Sequence, residues 1–221
     1  MKKIVYSLLL ISTIGFSQIE KEVGDFNKVT TFDQIDVRLI QGTENKVVLN
    51  GNGSEEVEVI NKNGELKIRM PFTRLLDGEN ISATVYYNQI NALEANEGSR
   101  ISSEKEIKSV LFDIKVKEGA QIKINLQVDK LKARISNGSI VEIEGSLKNQ
   151  EVVINSGGQY KAENLHSEQS DITLNAGGFA SVFTTNLVEA TVRAGGFIKI
   201  YGKPKQINKN ILAGGSIVEA K

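Results

Sequence analysis

A unit of about twenty residues recurs seven times in the second part of this chain, and a period of that length restricts the fold to a solenoid, a propeller or another repeat array. Glycine marks it: "ITLNAGGFASVF" at 172–183 returns as "ATVRAGGFIKIYG" at 190–202. With Gly98, Gly119, Asn137, Gly157, Gly177, Gly195 and Gly214 as anchors, the separations are 21, 18, 20, 20, 18 and 19 residues. Three positions past each anchor stand Ile101, Ile122, Ile140, Tyr160, Ala180, Ile198 and Ile217. Before each anchor stand Ala95, Val116, Ile135, Ile154, Leu174, Val192 and Ile211, with one residue of slippage at Ile135. A looser third column holds Leu126 or Val128, Leu147, Leu165, Leu187 and Ile207. Three apolar columns imply three faces around one core.

The expected fold is therefore all-β, a β-solenoid or β-helix-like stack in which each coil lies ~4.8 Å from the next and no coil buries its apolar side alone. The glycine pairs supply the corners, because glycine adopts positive φ and brings no Cβ against the neighbouring coil. A dinucleotide fingerprint would place a helix after the glycines, whereas strand-like text follows them here. A calcium-binding nonapeptide repeat would need a period of nine and an adjacent aspartate, and this chain has neither.

The chain divides into a leader at 1–17 and one solenoid domain at 18–221, hairpin-rich over 18–90 and built of seven coils over 91–221. In the earlier part Phe32, Ile35, Val37 and Leu39 alternate with polar residues, as do Val57, Val59, Leu66, Ile68 and Met70 on either side of "NKNG". Period-two alternation around an Asn-Gly turn reads as a hairpin, and these hairpins continue or cap the stack. At the very start, Lys2 and Lys3 precede an apolar run from Ile4 to Phe16 and a small Ser17. That is the layout of a secretory signal, too short to span a bilayer. Export is the expectation, to the periplasm, the outer surface or beyond.

The absence of cysteine removes disulfides, thiolate chemistry and the lipid-bearing cysteine of exported lipoproteins. The 27 basic and 27 acidic residues cancel. Such a balance gives no basis for nucleic-acid binding, which calls for a basic stripe. No cofactor is called for, and no other stretch reaches transmembrane length.

The order "FDQIDVRLIQGTENKVVLNG", "NGELKIRM", then "ISNGSIVEIEG", "LNAGGFASVF" and "VRAGGFIKIYG" resembles the bacterial family described as putative auto-transporter adhesin, head GIN domain. Phe32, Ile35, Val37, Gln41 and Gly42, with Gly64, Leu66 and Ile68, carry the resemblance. It implies a β-helix-like fold placed in the cell envelope or outside the cell, with no catalytic residues to transfer. Relatives that begin with a lipid-modified cysteine differ from this chain in that respect.

Stacking turns single residues into ladders. Phe179 and Phe183 recur as Phe197 and Tyr201, with parity opposite to the inward column, so the four rings face outward beside Ser181 and Lys199. Exposed rings can stack on sugars or anchor a partner, and can equally stabilise neighbouring strands without a ligand. Glu151, Asp171 and Glu189 fall on successive coils, where they form a solvated edge or share a hard cation. His166 lies in a polar, loop-like link, and Asn155 with Asn175 forms a structural amide ladder.

The expected function is a non-catalytic, exported, adhesin-like module that binds a glycan or an envelope protein through its regular faces. A polysaccharide-active enzyme and a carbohydrate- or lipid-binding protein that uses the aromatic patch stand as alternatives. An exposed last coil also makes an end-to-end homodimer an expectation.

Overall fold

The computed structural model describes residues 18–220. The proposed leader at 1–17 lies outside them. Eight short strands come first: β1 (Ile19–Glu22), β2 (Lys28–Thr31), β3 (Asp36–Gln41), β4 (Lys46–Asn50), β5 (Glu58–Lys62), β6 (Glu65–Arg69), β7 (Ser82–Tyr87) and β8 (Ala92–Ala95). Five long strands follow: β9 (Arg100–Val116), β10 (Gln121–Ile135), β11 (Ile140–Ile154), β12 (Gln159–Leu174) and β13 (Phe179–Ala194). The stack ends with β14 (Phe197–Tyr201), β15 (Gln206–Ala213) and β16 (Ser216–Glu219). All sixteen join one hydrogen-bonded sheet, and the coils pair in parallel as a β-solenoid. Among the described residues no helix is long and apolar enough to cross a membrane.

The periodic columns become ladders because parallel pairing in register superposes them. Ala95, Val116, Ile135, Ile154, Leu174, Val192 and Ile211 are consecutive Cα partners, with no slip at Ile135. The inward column after the turn runs Ile101, Ile122, Val141, Tyr160, Ala180, Ile198 and Ile217. Here the structure corrects the sequence reading. The amide of Gly119 bonds the carbonyl of Asn137, and that of Gly138 bonds the carbonyl of Ser156, so Gly138 and not Asn137 is the equivalent of the other anchors. Val141 accordingly points inward, while Ile140 faces outward between Gln121 and Gln159.

The third column is only partly aligned. Leu126 stands opposite Gly145 and then Leu165, Leu147 opposite Ser167, and Leu187 opposite Gln169. Pairing slips between Lys123 and Asn125 and skips Asp129, where the coil bends from one face to the next. Coils of unequal length spend their extra residues at those bends, so a fixed spacing cannot follow them.

The glycine pairs have two separate reasons. Gly177 has φ +65°, and a Cβ on the following Gly178 (φ +104°) would lie 2.6 Å from the carbonyl oxygen of Gly158 in the coil beneath. The first glycine makes the turn and the second lets two backbones approach. Beside this corner Asn175 Nδ2 donates to Asn155 Oδ1 at 2.7 Å, which bears out the amide ladder.

The earlier half extends the stack in an order that periodicity does not reveal. Strand β2 lies between β6 and β8, and β3 lies between β7 and β9, all in parallel. The first coil in sequence is therefore the second in space. Beyond it β5 runs antiparallel to β6, β4 to β7 and β1 to β4, so the stack is closed by strands of opposite direction. The β5–β6 hairpin turns at Asn63 and Gly64, with φ of 54° and 78°, as the Asn-Gly text requires.

A charge cluster ties these layers together. Lys28 Nζ lies 2.9 Å from Glu65 and 2.7 Å from Glu94, and Thr30 Oγ1 donates to Glu65 at 2.6 Å. Burial alone would push the Glu65 carboxyl up, but the hydrogen bonds from Thr30 and Lys28 and the charges of Lys28 and Lys67 outweigh it and hold the group at about 2. A folded-state value below the unfolded one stabilises the protein above the unfolded carboxylate range, and that contribution is lost as pH falls toward about 2. Chemical denaturation of wild type between pH 7 and 3 is expected to show this loss. Glu65→Gln should flatten the acid limb, and an unchanged limb would mean that the cluster contributes nothing.

Candidate functional site

The outward residues of the strands after the turn form two rows running up the solenoid. One passes through Arg100, Gln121, Ile140, Gln159, Phe179 and Phe197. The other passes through Ser102, Lys123, Glu142, Lys161, Ser181 and Lys199. The inward neighbours Ala180, Val182, Ile198 and Ile200 are fully buried, so alternation turns the intervening side chains outward, although Ser181 is itself covered beneath Glu163.

All four predicted rings lie half-buried on this face. Phe179 and Phe197 are register partners whose rings stack in parallel, centroids 6.0 Å apart and planes within 5°. Phe183 pairs with Tyr201, and Lys199 Nζ sits 5.0 Å from the Tyr201 ring centroid. His166 joins this group from the next coil, tilted against Phe183 with centroids 4.2 Å apart. It lies within strand β12 rather than in a loop, at the register shift where the coil bends from one face to the next.

The same rows lead into a cleft of about 500 Å³ at the first bend, lined by Lys123, Asn125, Glu142, Glu144, Lys161 and Asn164 among others. Glu142 lies 3.0 Å from Lys161 and 3.4 Å from Lys123. The hydrogen bond from Lys161 outweighs partial burial and holds the Glu142 carboxyl below its ordinary value. Asn125 Oδ1 is buried and has no hydrogen-bond partner in the protein. Glu163, at the edge of the cleft, accepts from Ser181 Oγ and so links the cleft to the strand that carries the rings. Sequence reasoning missed this cleft. Its signal was the polar column Lys123, Glu142, Lys161, which becomes visible only with the anchor at Gly138.

The acidic residues are in register as read: Glu151 pairs with Asp171, and Asp171 with Glu189. Burial and the charges of Glu151 and Glu189 push the Asp171 carboxyl up. Glu189 accepts from Asn208 Nδ2 at 2.7 Å. Among the described residues no three acidic, histidine or cysteine side chains gather closely enough to hold a metal ion.

The family model for putative auto-transporter adhesin, head GIN domain, matches residues 25–204. The chain belongs to this family. Among solved structures it is similar to a putative adhesin from Bacteroides fragilis, with TM-score 0.85, 18% identity, and 94% of this chain and 98% of that one covered. A putative adhesin from Parabacteroides distasonis matches with TM-score 0.77 and 19% identity over 92% of this chain and 96% of that one. A putative lipid binding protein from the same species matches with TM-score 0.70 and 18% identity over 93% and 96%. At these identities the likeness establishes the shared solenoid alone. No curated protein matches the chain.

Proposed function

We propose that this family member is a non-catalytic, adhesin-like module, exported from the cell, that holds glycan chains on the face formed by Phe179, Phe183, Phe197 and Tyr201. The single observation that carries the reading is the parallel, half-buried Phe179–Phe197 stack, continuous through Ser181 and Glu163 with a polar cleft. Rings supply flat apolar area for sugar faces at low entropic cost. The cleft supplies the polar half. Lys123 and Lys161 donate, and Glu142 and Glu144 accept. Export rests on the Lys2, Lys3 and Ile4–Phe16 leader together with the family, and the lack of cysteine favours a form without a lipid anchor.

Phe179→Ala with Phe197→Ala should abolish adsorption to whichever members of a glycan panel wild type retains, while the thermal transition shifts little. Adsorption that survives the double substitution removes the aromatic face from the reading. Adsorption to lipid rather than glycan would transfer the site to the activity named for the Parabacteroides relative.

Cleavage of a bound chain is a second reading, since Glu104, Glu142, Glu144 and Glu163 all line the cleft. Hydrolysis would need one of them protonated as a general acid. Glu142, which lies between two lysines in the cleft, is instead held ionised by Lys161. Release of reducing ends from any polysaccharide in the panel would overturn the non-catalytic assignment.

A further inference from the structure

Outside the last coils and apart from Ile60 on β5, the large exposed apolar side chains fall in two places away from the aromatic face. Phe72, Leu75 and Leu76 are 75%, 55% and 52% exposed on the segment between β6 and β7. Val110 and Leu111 are 73% and 47% exposed at the second bend of β9.

The first group is held rigidly. The buried carboxylate of Asp33 accepts from the amides of Met70 at 2.9 Å and Leu76 at 2.8 Å. The Gly78 amide bonds the Asp33 carbonyl, and a Cβ at Gly78 would stand 2.3 Å from that oxygen. Arg74 reaches both Glu56 and Asp77, the Arg69 guanidinium lies 4.7 Å from the Phe72 ring centroid, and Leu76 keeps φ at 63°. A segment fixed this tightly, with three large apolar side chains in water, forms a preorganised knob. Its surroundings are acidic: Glu55, Glu56, Glu58, Asp77 and Glu79 against Arg69 and Arg74. Glu55 and Glu79 have no ion-pair partner among the described residues.

The second group has the opposite rim. Val110 and Leu111 flank a groove shared with Asn27, Ile90 and Lys108. Lys130, the register partner of Leu111, stands just beyond the groove, where it lines a neighbouring depression with Glu151 and Asp171 and forms no ion pair among the described residues. Lys108 is two-thirds exposed and forms an ion pair with Glu106 at 3.3 Å.

We propose that the occupant of this groove is the knob of a second copy of the chain, Phe72, Leu75 and Leu76 packing on Val110, Leu111 and Ile90 with the acidic rim against Lys108 and Lys130. The contact is distinct from the glycan face and leaves it open, so self-association would present several such faces side by side. An anionic bilayer is disfavoured by the acidic rim around the knob. Two different patches meet, so the contact closes as a dimer if both copies exchange knobs and continues as a chain if they do not.

Sedimentation of the purified protein over concentrations from about 1 to 300 µM is the test. The expected result is a mass that rises above the monomer with concentration and falls as salt is raised. Phe72→Ser with Leu75→Ser, and separately Val110→Ser with Leu111→Ser, should each weaken association by at least about tenfold with unchanged circular dichroism. Lys130→Glu should weaken it, and Glu79→Lys in the same chain should restore it. A monomer throughout, or association indifferent to either serine pair, overturns the proposal. Knob-dependent flotation with phosphatidylcholine vesicles by a protein that stays monomeric would overturn it in favour of lipid. Adsorption of glycan is read separately from mass, so failure of one assignment is not failure of the other.

Discussion

Gly145→Ala is expected to destabilise the protein by about 4 kcal/mol, at the upper end of what single substitutions do. Gly145 sits at the first bend of β11, opposite Leu126 on one side and Leu165 on the other, with φ +118°. A Cβ there would lie 2.1 Å from the Leu126 carbonyl oxygen and 2.8 Å from Asn125 Oδ1. The obstacle is backbone of the adjoining coil, which can yield only by giving up its ladder. Positive φ adds its own cost for an alanine. Gly119→Ala is the internal control, since that glycine also has positive φ (+72°) but faces nothing within 4 Å. Its cost should be about 1 kcal/mol, the left-handed penalty alone. Urea midpoints of the two variants measure the difference, and equal losses would show that conformation and not coil contact governs these glycines.

Tyr160→Ala should cost about 4 to 5 kcal/mol, because a fully buried aromatic ring is removed and a polar network loses its terminal donor. Tyr160 stands in the inward column between Val141 and Ala180, and the small alanine leaves room for the ring. Its hydroxyl, whose ionisation burial pushes strongly upward, donates to Gln150 Oε1 at 2.6 Å. Gln150 Nε2 continues to Ser170 Oγ at 2.9 Å, Ser170 to Thr184 at 2.6 Å, and Ser167 to the Phe183 carbonyl at 2.7 Å. All of these groups are buried, and each has a partner. Tyr160→Phe keeps the ring and orphans only Gln150 Oε1, for which about 2 kcal/mol is expected. Adding Gln150→Leu removes the orphan, and Ser167 and Ser170 retain each other and Thr184. The double variant should therefore lose less than the sum of the singles, and strict additivity would mean that the network is not coupled.

That interior network also explains part of what a linear reading could not see. Gln150, Ser167, Ser170 and Thr184 look like surface residues in sequence, and strict alternation around Leu147 and Leu187 suggests an apolar third face. The bends absorb different numbers of residues in each coil, so polar side chains turn inward near 150 and 167 while Leu187 is only partly covered. The two faces flanking the glycine corner hold their spacing, which is why the columns from Ala95 to Ile211 and from Ile101 to Ile217 were legible apart from the shift at Gly138. The rings at 179, 183, 197 and 201 lie next to that corner, close to an anchor, and their outward parity followed directly. Lys123, Asn125 and Glu142 belong to an earlier coil whose anchor was one residue off, and the cleft was hidden with them.

Repetition in this chain determined by itself that strands would stack in parallel around a shared apolar interior, because only superposed coils bury side chains that return at every nineteenth or twentieth position. It also determined which outward positions would form ladders. Tertiary structure alone decided the insertion of β2 and β3 between later coils, the antiparallel closure by β1 and β4, and the meeting of Tyr160 with Gln150. Those outcomes depend on pairings between segments far apart in sequence, where the free energy of a contact is set by which edge remains unpaired and which cavity remains unfilled, and no local pattern encodes either.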